Sequence, residues 1–149
     1  MIRLIAFKAA GGFDPTLIAG EEADLCYRIR RKGGRVDRIN AEMTLHDANM
    51  TRVSQWWQRS VRSGYATAEA HRRRGRADPV LKRQVISNVC WALPVAWPLW
   101  PLLWYRVWRR RGSLYASNIV FGKLPHLVGQ ARFWIRQWRG RAGTLIEYK

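Results

Sequence analysis

The chain has 149 residues and carries 27 basic against 10 acidic side chains, a formal net charge of +17. This length allows one domain of ordinary size or part of a larger one, and a hydrophobic fraction of 48% excludes wholesale disorder. Nine tryptophans in so short a chain require either a core or a membrane interface. Cys26 and Cys90 lack metal-ligand spacing, so we predict packed thiols in a reducing compartment. The apolar start is too short for a signal peptide, and none is expected.

Charge is unevenly distributed along the chain. Residues 1–47 carry 8 basic and 7 acidic side chains, whereas residues 48–149 carry 19 and 3. Carboxylates gathered in a near-neutral front segment indicate chemistry or cation binding. A cationic, tryptophan-rich rear segment indicates an anionic partner, either phospholipid or nucleic acid.

The front segment predicts two short strands around one helix. Residues 2–7 form a mostly apolar stretch typical of a strand, which Gly11-Gly12 ends. Residues 21–32 predict a helix with acids in its first turn and bases in its last turns, as the helix dipole favours. A second strand is predicted over residues 35–39, followed by a loop over residues 40–50.

The rear segment predicts helices. Residues 54–74 have a helical pattern, and residues 85–105 form a run of 21 residues without a charge, with basic residues on both sides. A last helix is predicted to end near Trp138, with interruptions at Pro125 and Gly129.

The uncharged run leaves three interpretations open. As a straight helix it would be about 31 Å long, near the thickness of the hydrocarbon core. Its four tryptophans favour the membrane interface, and Pro94, Pro98 and Pro101 oppose a straight span. We favour an interfacial or re-entrant element over a true span or a soluble core helix. The basic residues after the run would lie among anionic headgroups.

Three carboxylates are the first candidate for chemistry. Glu21, Glu22 and Asp24 follow Gly20 directly and lie within four residues. They would serve as a general base with neighbours that hold a substrate. Alternatively, they lie at a helix N-terminus only because the helix dipole favours negative charge there. Both interpretations stay open on these residues alone.

Two further groups are candidates for binding. His46, beside Asp47, could contact a metal or a metal-bound phosphate, although a lone histidine is more often a packed or solvated loop residue. The second group could line a groove for a sugar or a diphosphate, because it combines an amide, two indole rings and a guanidinium. Its members are Gln55, Trp56, Trp57 and Arg59. The alternative for this group is a core tryptophan beside a solvated basic face.

Several motifs together resemble a known family. They are Gly11-Gly12-Phe13-Asp14, then Gly20-Glu21-Glu22-Ala23-Asp24-Leu25-Cys26-Tyr27-Arg28-Ile29-Arg30, then Gly33-Gly34, continued by His46-Asp47-Ala48-Asn49-Met50 and Gln55-Trp56-Trp57 with Arg59. Their order and spacing resemble the acceptor-side signature of family 2 glycosyltransferases. The resemblance implies an α/β fold: a partial A-type glycosyltransferase fold with few strands, followed by a helical, membrane-associated C-terminal region.

The resemblance also implies an activity. Such enzymes transfer a sugar from a nucleotide diphosphate donor to an acceptor hydroxyl, usually with inversion. Glu22 maps onto the catalytic base, with Glu21 and Asp24 as orienting acids, and a divalent metal, Mg or Mn, assists the leaving diphosphate. Substrate-binding residues would be Gly11, Gly12, Phe13, Gln55, Trp56, Trp57 and Arg59, and His46 is the position to test for a metal contact.

The family's Asp-x-Asp metal motif does not occur in these 149 residues. We therefore expect a C-terminal portion of a transferase, as a truncated gene product, a split subunit or a fragment, with little turnover alone. Expected partners are a nucleotide-sugar, an acceptor glycan or lipid, an anionic surface at the cytoplasmic face of the cell membrane, and a separate nucleotide-binding chain. The predicted domains are an acceptor-side part over 1–50, an amphipathic basic helix over 51–79 and a Trp/Arg-rich membrane-associated region over 80–149.

Two other classes of protein remain as alternatives. One is a non-catalytic membrane-anchor or partner subunit. The other is a basic nucleic-acid-binding module, which the net charge and interleaved aromatics would fit. Nucleic acid is the weaker candidate, because a long apolar run rich in tryptophan and proline has no role in such a module.

Overall fold

The computed structural model describes residues 2–17, 19–37 and 50–140, except for the side chain of Arg76. Seven α-helices form there: α1 Leu4–Ala9, α2 Glu21–Arg31, α3 Val53–Arg74, α4 Pro79–Ala92, α5 Trp100–Arg111, α6 Ser113–Phe121 and α7 Lys123–Trp138. Short 3₁₀ helices cover Gly75–Ala77 and Pro94–Leu99. The chain divides into an N-terminal unit that ends at Thr51 and a helical unit that begins at Arg52.

The expected α/β fold is wrong for the part of the chain that the structure describes. No strand forms there, and the stretch predicted as a strand over residues 2–7 is helical from Leu4 onward. A lone strand leaves its backbone groups unpaired, whereas a helix satisfies its own. Residues 35–37 of the second expected strand are irregular, and the rest of that stretch lies outside the described residues.

The helix predicted over residues 21–32 is confirmed, one residue shorter. α2 begins after Gly20, its acids lie in the first turn and its arginines in the last, which matches the helix dipole. Leu25 and Ile29, four residues apart, are buried against Ala10. Phe7 and Val36 cover this small core. The N-terminal unit is thus organised around one face of α2.

In the helical unit, α3 and α7 cross in direct backbone contact. A Cβ atom added at Gly129 would lie 2.6 Å from the backbone nitrogen of Tyr65, and one added at Gly64 would lie 2.6 Å from the Cα of His126. Only glycine fits at either position, because a real Cβ essentially never comes so close to another backbone. Around this crossing the Tyr65 ring meets the buried Phe133 ring edge to face, with centroids 5.3 Å apart.

The expected interruptions of the last helix are wrong. α7 runs unbroken from Lys123 to Trp138. Pro125 is its third residue, where a backbone N–H has no partner within the helix, so the missing donor costs nothing. Gly129 lies in the middle of α7, and its missing side chain lets α3 approach.

The uncharged run is broken at its prolines, as the sequence predicts. α4 ends at Ala92, and the chain turns through a 3₁₀ helix into α5. Two indoles satisfy carbonyls left free at the end of α4: Trp97 donates to the Ala92 oxygen at 3.2 Å and Trp100 to the Trp91 oxygen at 2.9 Å. Tryptophan side chains thus supply donors for two carbonyl oxygens at the break in the run.

No single helix among the described residues has the length and apolar character to cross a membrane. Pro79–Ala92 and Pro94–Arg111 meet that criterion only as a pair, and they are bent by 94° at the break. Membrane location therefore remains a proposal based on composition and exposure.

The α3–α7 crossing leads to a stability prediction. Gly129→Ala should destabilise the helical unit by about 2 kcal/mol or more, because the new methyl group forces two helix backbones apart. Alanine's higher helix propensity would by itself stabilise α7 by about 1 kcal/mol, so the sign of the change isolates the steric effect. The measurement is the free energy of unfolding in urea.

Ala131→Ser, at an exposed position on the same helix, is the matched control. It should change the free energy of unfolding by less than about 0.5 kcal/mol. A Gly129→Ala protein as stable as wild type would contradict the close backbone contact.

Candidate functional site

The Arg28 guanidinium joins two motifs of the N-terminal unit, the glycine turn after α1 and the acidic first turn of α2. Its Nε donates to the Asp24 carboxylate at 2.7 Å, one turn earlier on α2. One terminal nitrogen donates to the Gly12 carbonyl oxygen at 2.7 Å, and the other to the carbonyl oxygen of Ala10. Arg28 therefore ties the turn after α1 to the acidic first turn of α2.

The turn itself depends on its two glycines. Gly11 and Gly12 have φ angles of 84° and 69°, in the left-handed region that favours glycine. The next residue, Phe13, packs edge to face on Phe7, with ring centroids 5.4 Å apart. The Gly-Gly-Phe motif therefore has a structural explanation here: it reverses the chain and presents carbonyl oxygens to Arg28.

The three acids differ in their surroundings. Asp24 is largely buried and paired with Arg28, so it orients the turn. Glu21 is half-buried and Glu22 is exposed. Neither has a hydrogen-bond or ion-pair partner among the described residues, which leaves both carboxylates open to a ligand. That Glu22 is the base and Glu21 its neighbour stays a prediction.

The residues predicted to bind a sugar or diphosphate lie on α3, in the helical unit. The Gln55 side chain accepts a hydrogen bond from the Arg52 backbone N–H at 3.0 Å and so caps α3. The Trp56 indole donates to the Asn118 side-chain oxygen at 2.7 Å. Trp57 and Arg59 are exposed. Two of the four residues thus have structural partners, and binding by this group stays a prediction.

His46 lies outside the described residues, so its expected metal contact stays a prediction. Among the residues that are described, no three His, Cys, Asp or Glu side chains come together as metal ligands. Cys26 and Cys90 are both free thiols, the first half-buried and the second exposed. The prediction of packed thiols is therefore wrong for Cys90.

Sequence reasoning missed a second group of residues, between α4 and α7. The Lys123 ammonium donates to Ser87 Oγ at 3.1 Å and to Asn88 Oδ1 at 3.2 Å. Burial lowers the pKa of Lys123, and burial together with the Lys123 charge lowers the pKa of His126. The sequence signal for this group was Lys123, a single basic residue between apolar stretches. Its hydrogen-bond partners could not be predicted, because they lie about 35 positions away along the chain.

Ser87 also borders a shallow hollow of about 420 Å³, which we call the α4 hollow; its lining residues are Pro79, Lys82, Arg83, Ile86, Ser87 and Trp91. They recur at intervals of three and four residues, so they share one face of α4.

Two curated proteins are similar to part of this chain. The succinoglycan biosynthesis protein ExoA of Rhizobium meliloti (strain 1021) is 30% identical over 96 residues, which is 64% of this chain and 26% of that protein. The pre-mycofactocin glycosyltransferase of Mycobacterium tuberculosis is 33% identical over 66 residues, 44% of this chain and 14% of that protein. The chain thus spans about a quarter of the length of the first relative and 14% of the length of the second.

No family model matches the chain, and no solved structure matches it. The partial similarities support a glycosyltransferase-related role in general terms. Such a role agrees with the broad class that the sequence motifs predict.

Arg28 gives the first testable expectation for this site. Arg28→Met should remove three hydrogen bonds and leave the Asp24 carboxylate unpaired, which costs about 1–3 kcal/mol locally. Amide hydrogen exchange should accelerate at Gly12, whose N–H donates to the Phe7 carbonyl.

Arg31→Met is the matched control, because it removes the same charge from an exposed position on the same helix. Its exchange rates at Gly12 should equal those of wild type. If the exchange rate at Gly12 in the Arg28→Met protein equalled that of wild type, Arg28 would not hold the turn.

The lowered pKa of His126 predicts a pH dependence of stability. The unfolded histidine binds its proton near pH 6.5, whereas the folded one binds it only at lower pH. Between these values the unfolded state holds more protons, so stability falls as the pH drops below 6.5. Urea unfolding measured from pH 7.5 downward should show this loss in wild type and a smaller loss in His126→Gln. Parallel curves for the two proteins would contradict the prediction.

Proposed function

We propose that this chain supplies the acceptor-side part of a family 2 glycosyltransferase that uses a nucleotide-sugar donor and works with inversion. The observation that carries the proposal is the arrangement around Arg28. It joins the Gly11-Gly12 turn to the acidic first turn of α2 and leaves the Glu22 carboxylate exposed beside it. The partial similarity to two proteins of sugar chemistry supports the same role.

In the proposed reaction, Glu22 takes the proton of the acceptor hydroxyl. The acceptor oxygen then attacks the anomeric carbon, and the bond from that carbon to the nucleoside diphosphate breaks. An exposed carboxylate at the start of a helix can reach a bound hydroxyl and accept its proton. Asp24 is a positioning residue in this scheme, because its hydrogen bond holds Arg28 on the turn.

The complete enzyme would bind a divalent cation, Mg or Mn, at the diphosphate. The described residues contain no cluster of ligands that fits such an ion. No step assigned to this chain therefore passes through a metal. A separate nucleotide-binding chain or segment would supply the donor site.

We also propose that the helical unit rests on the cytoplasmic face of a membrane. Its support is the chain after α4, where large apolar side chains are exposed at Val95, Leu99 and Leu102. Trp97 and Trp108 are also partly exposed, as is typical of an interfacial element. The basic last turn of α5, Arg109 to Arg111, would meet anionic headgroups.

A chimaera tests the catalytic proposal. The aligned segment of the pre-mycofactocin glycosyltransferase is replaced by this chain, and transfer of radiolabelled sugar is measured. The chimaera should transfer sugar, and Glu22→Gln should lower kcat about 10²–10⁴-fold, because the general base is lost.

Asp37→Asn is the matched control, since it removes an equal charge from an exposed position in the same unit that has no part in the proposed site. It should retain most of the activity. A folded chimaera without any transfer would count against the acceptor-side role. Full activity in Glu22→Gln would refute the assignment of the base.

A further inference from the structure

The two cations that line the α4 hollow, Lys82 and Arg83, form no ion pair with a carboxylate of the described helical unit. Residues 52–140 contain two acids, and both are already engaged. Glu69 pairs with Arg73 at 3.1 Å. Asp78 pairs with Arg74 at 3.4 Å and caps the start of α4. Lys82 and Arg83, both exposed, therefore have no acidic partner in that part of the chain.

Lys123 adds a third cation beside the hollow. Its two acceptors, the Ser87 hydroxyl and the Asn88 amide, are neutral. The Ser87 oxygen receives a hydrogen bond from Lys123, so its own O–H remains available to donate into the hollow that it lines. Lys123 is half-buried and its two hydrogen-bond acceptors carry no charge, so an added anion would stabilise the ammonium; burial accordingly lowers the pKa of Lys123.

The surface changes from charged to apolar along α4. Lys82 and Arg83 lie near its start, Trp91 lies near its end, and the chain then bends by 94° into the exposed apolar segment around Val95. Arg83 and Ala92 are about 14 Å apart along the helix axis. This order of cation, aromatic ring and apolar surface matches the order of headgroup, interface and acyl chain in a lipid.

We propose that the α4 hollow, with Lys123 beside it, binds the phosphomonoester headgroup of a membrane lipid. Three cations and a hydroxyl donor suit a group that carries about −1.5 to −2 charges at neutral pH and three acceptor oxygens. A phosphodiester carries a single charge and needs fewer donors. The hollow's volume of about 420 Å³ lies within the usual range for ligand pockets, about 300–1,000 Å³.

This inference rests on the proposed membrane-surface role, and it does not depend on sugar transfer. The test uses the purified 149-residue chain and flotation with two kinds of phosphatidylcholine vesicle. One kind contains phosphatidic acid, a monoester, and the other contains phosphatidylglycerol, a diester. The two are matched for surface potential. Wild type should bind the monoester vesicles about tenfold more tightly, as expected for one additional charge-assisted hydrogen bond.

Two variants locate the preference. Lys82→Gln combined with Arg83→Gln, and separately Ser87→Ala, should each lose the preference for phosphatidic acid. Arg109→Gln combined with Arg110→Gln removes two exposed charges elsewhere in the same unit. That control should weaken binding to both vesicles equally and keep the preference.

The remaining outcomes would overturn the proposal. Equal binding to both vesicles, or a preference that survives in the hollow variants, would leave general membrane attraction without a headgroup site. Binding of inorganic phosphate to the vesicle-free chain as tightly as to the phosphatidic acid vesicles, lost in the same variants, would mean that soluble phosphate is the ligand. Tighter binding to RNA than to the phosphatidic acid vesicles, lost in the same variants, would assign the cations to nucleic acid. None of these results bears on the chimaera assay.

Discussion

The helical unit depends on one close contact, where α3 and α7 cross backbone to backbone at Gly64 and Gly129. No side chain longer than hydrogen fits at either position. With the helices this close, Phe133 reaches Tyr65 and is buried at the crossing. α4 packs against both helices, which brings Ser87 and Asn88 within reach of Lys123. The polar cluster beside the α4 hollow thus depends on the packing of α4 against α7.

In the N-terminal unit, a single arginine has the equivalent role. Arg28 binds the Asp24 carboxylate and two carbonyl oxygens of the turn after α1. This explains structurally why two glycines, an acid and an arginine occur together at this spacing. The glycines permit the turn, the arginine holds it, and the acid holds the arginine. Glu22 is left exposed, as its proposed role as the base requires.

The proposed functions place different demands on the two units. Chemistry requires a fixed turn beside an exposed carboxylate, and the N-terminal unit has both around α2. Attachment to a lipid surface requires cations that lack internal partners, next to exposed apolar groups. The helical unit has these along α4 and the segment that follows it. A transferase whose acceptor is presented at a membrane would need both features in one chain.

The sequence alone determined the elements whose cause is local. The helix over 21–32 follows from its acidic start and apolar spacing, and the break in the uncharged run follows from its prolines. The tertiary structure decided what depends on distant partners. Residues 2–7 are helical from Leu4 onward since no described strand offers them hydrogen bonds, and Gly129 serves a helix crossing where the sequence predicted an interruption. The burial and the hydrogen bonds of Lys123 come from the packing of α4 against α7. Such contacts form between helices that are distant in the sequence, so neither helix alone carries a sequence pattern that predicts them.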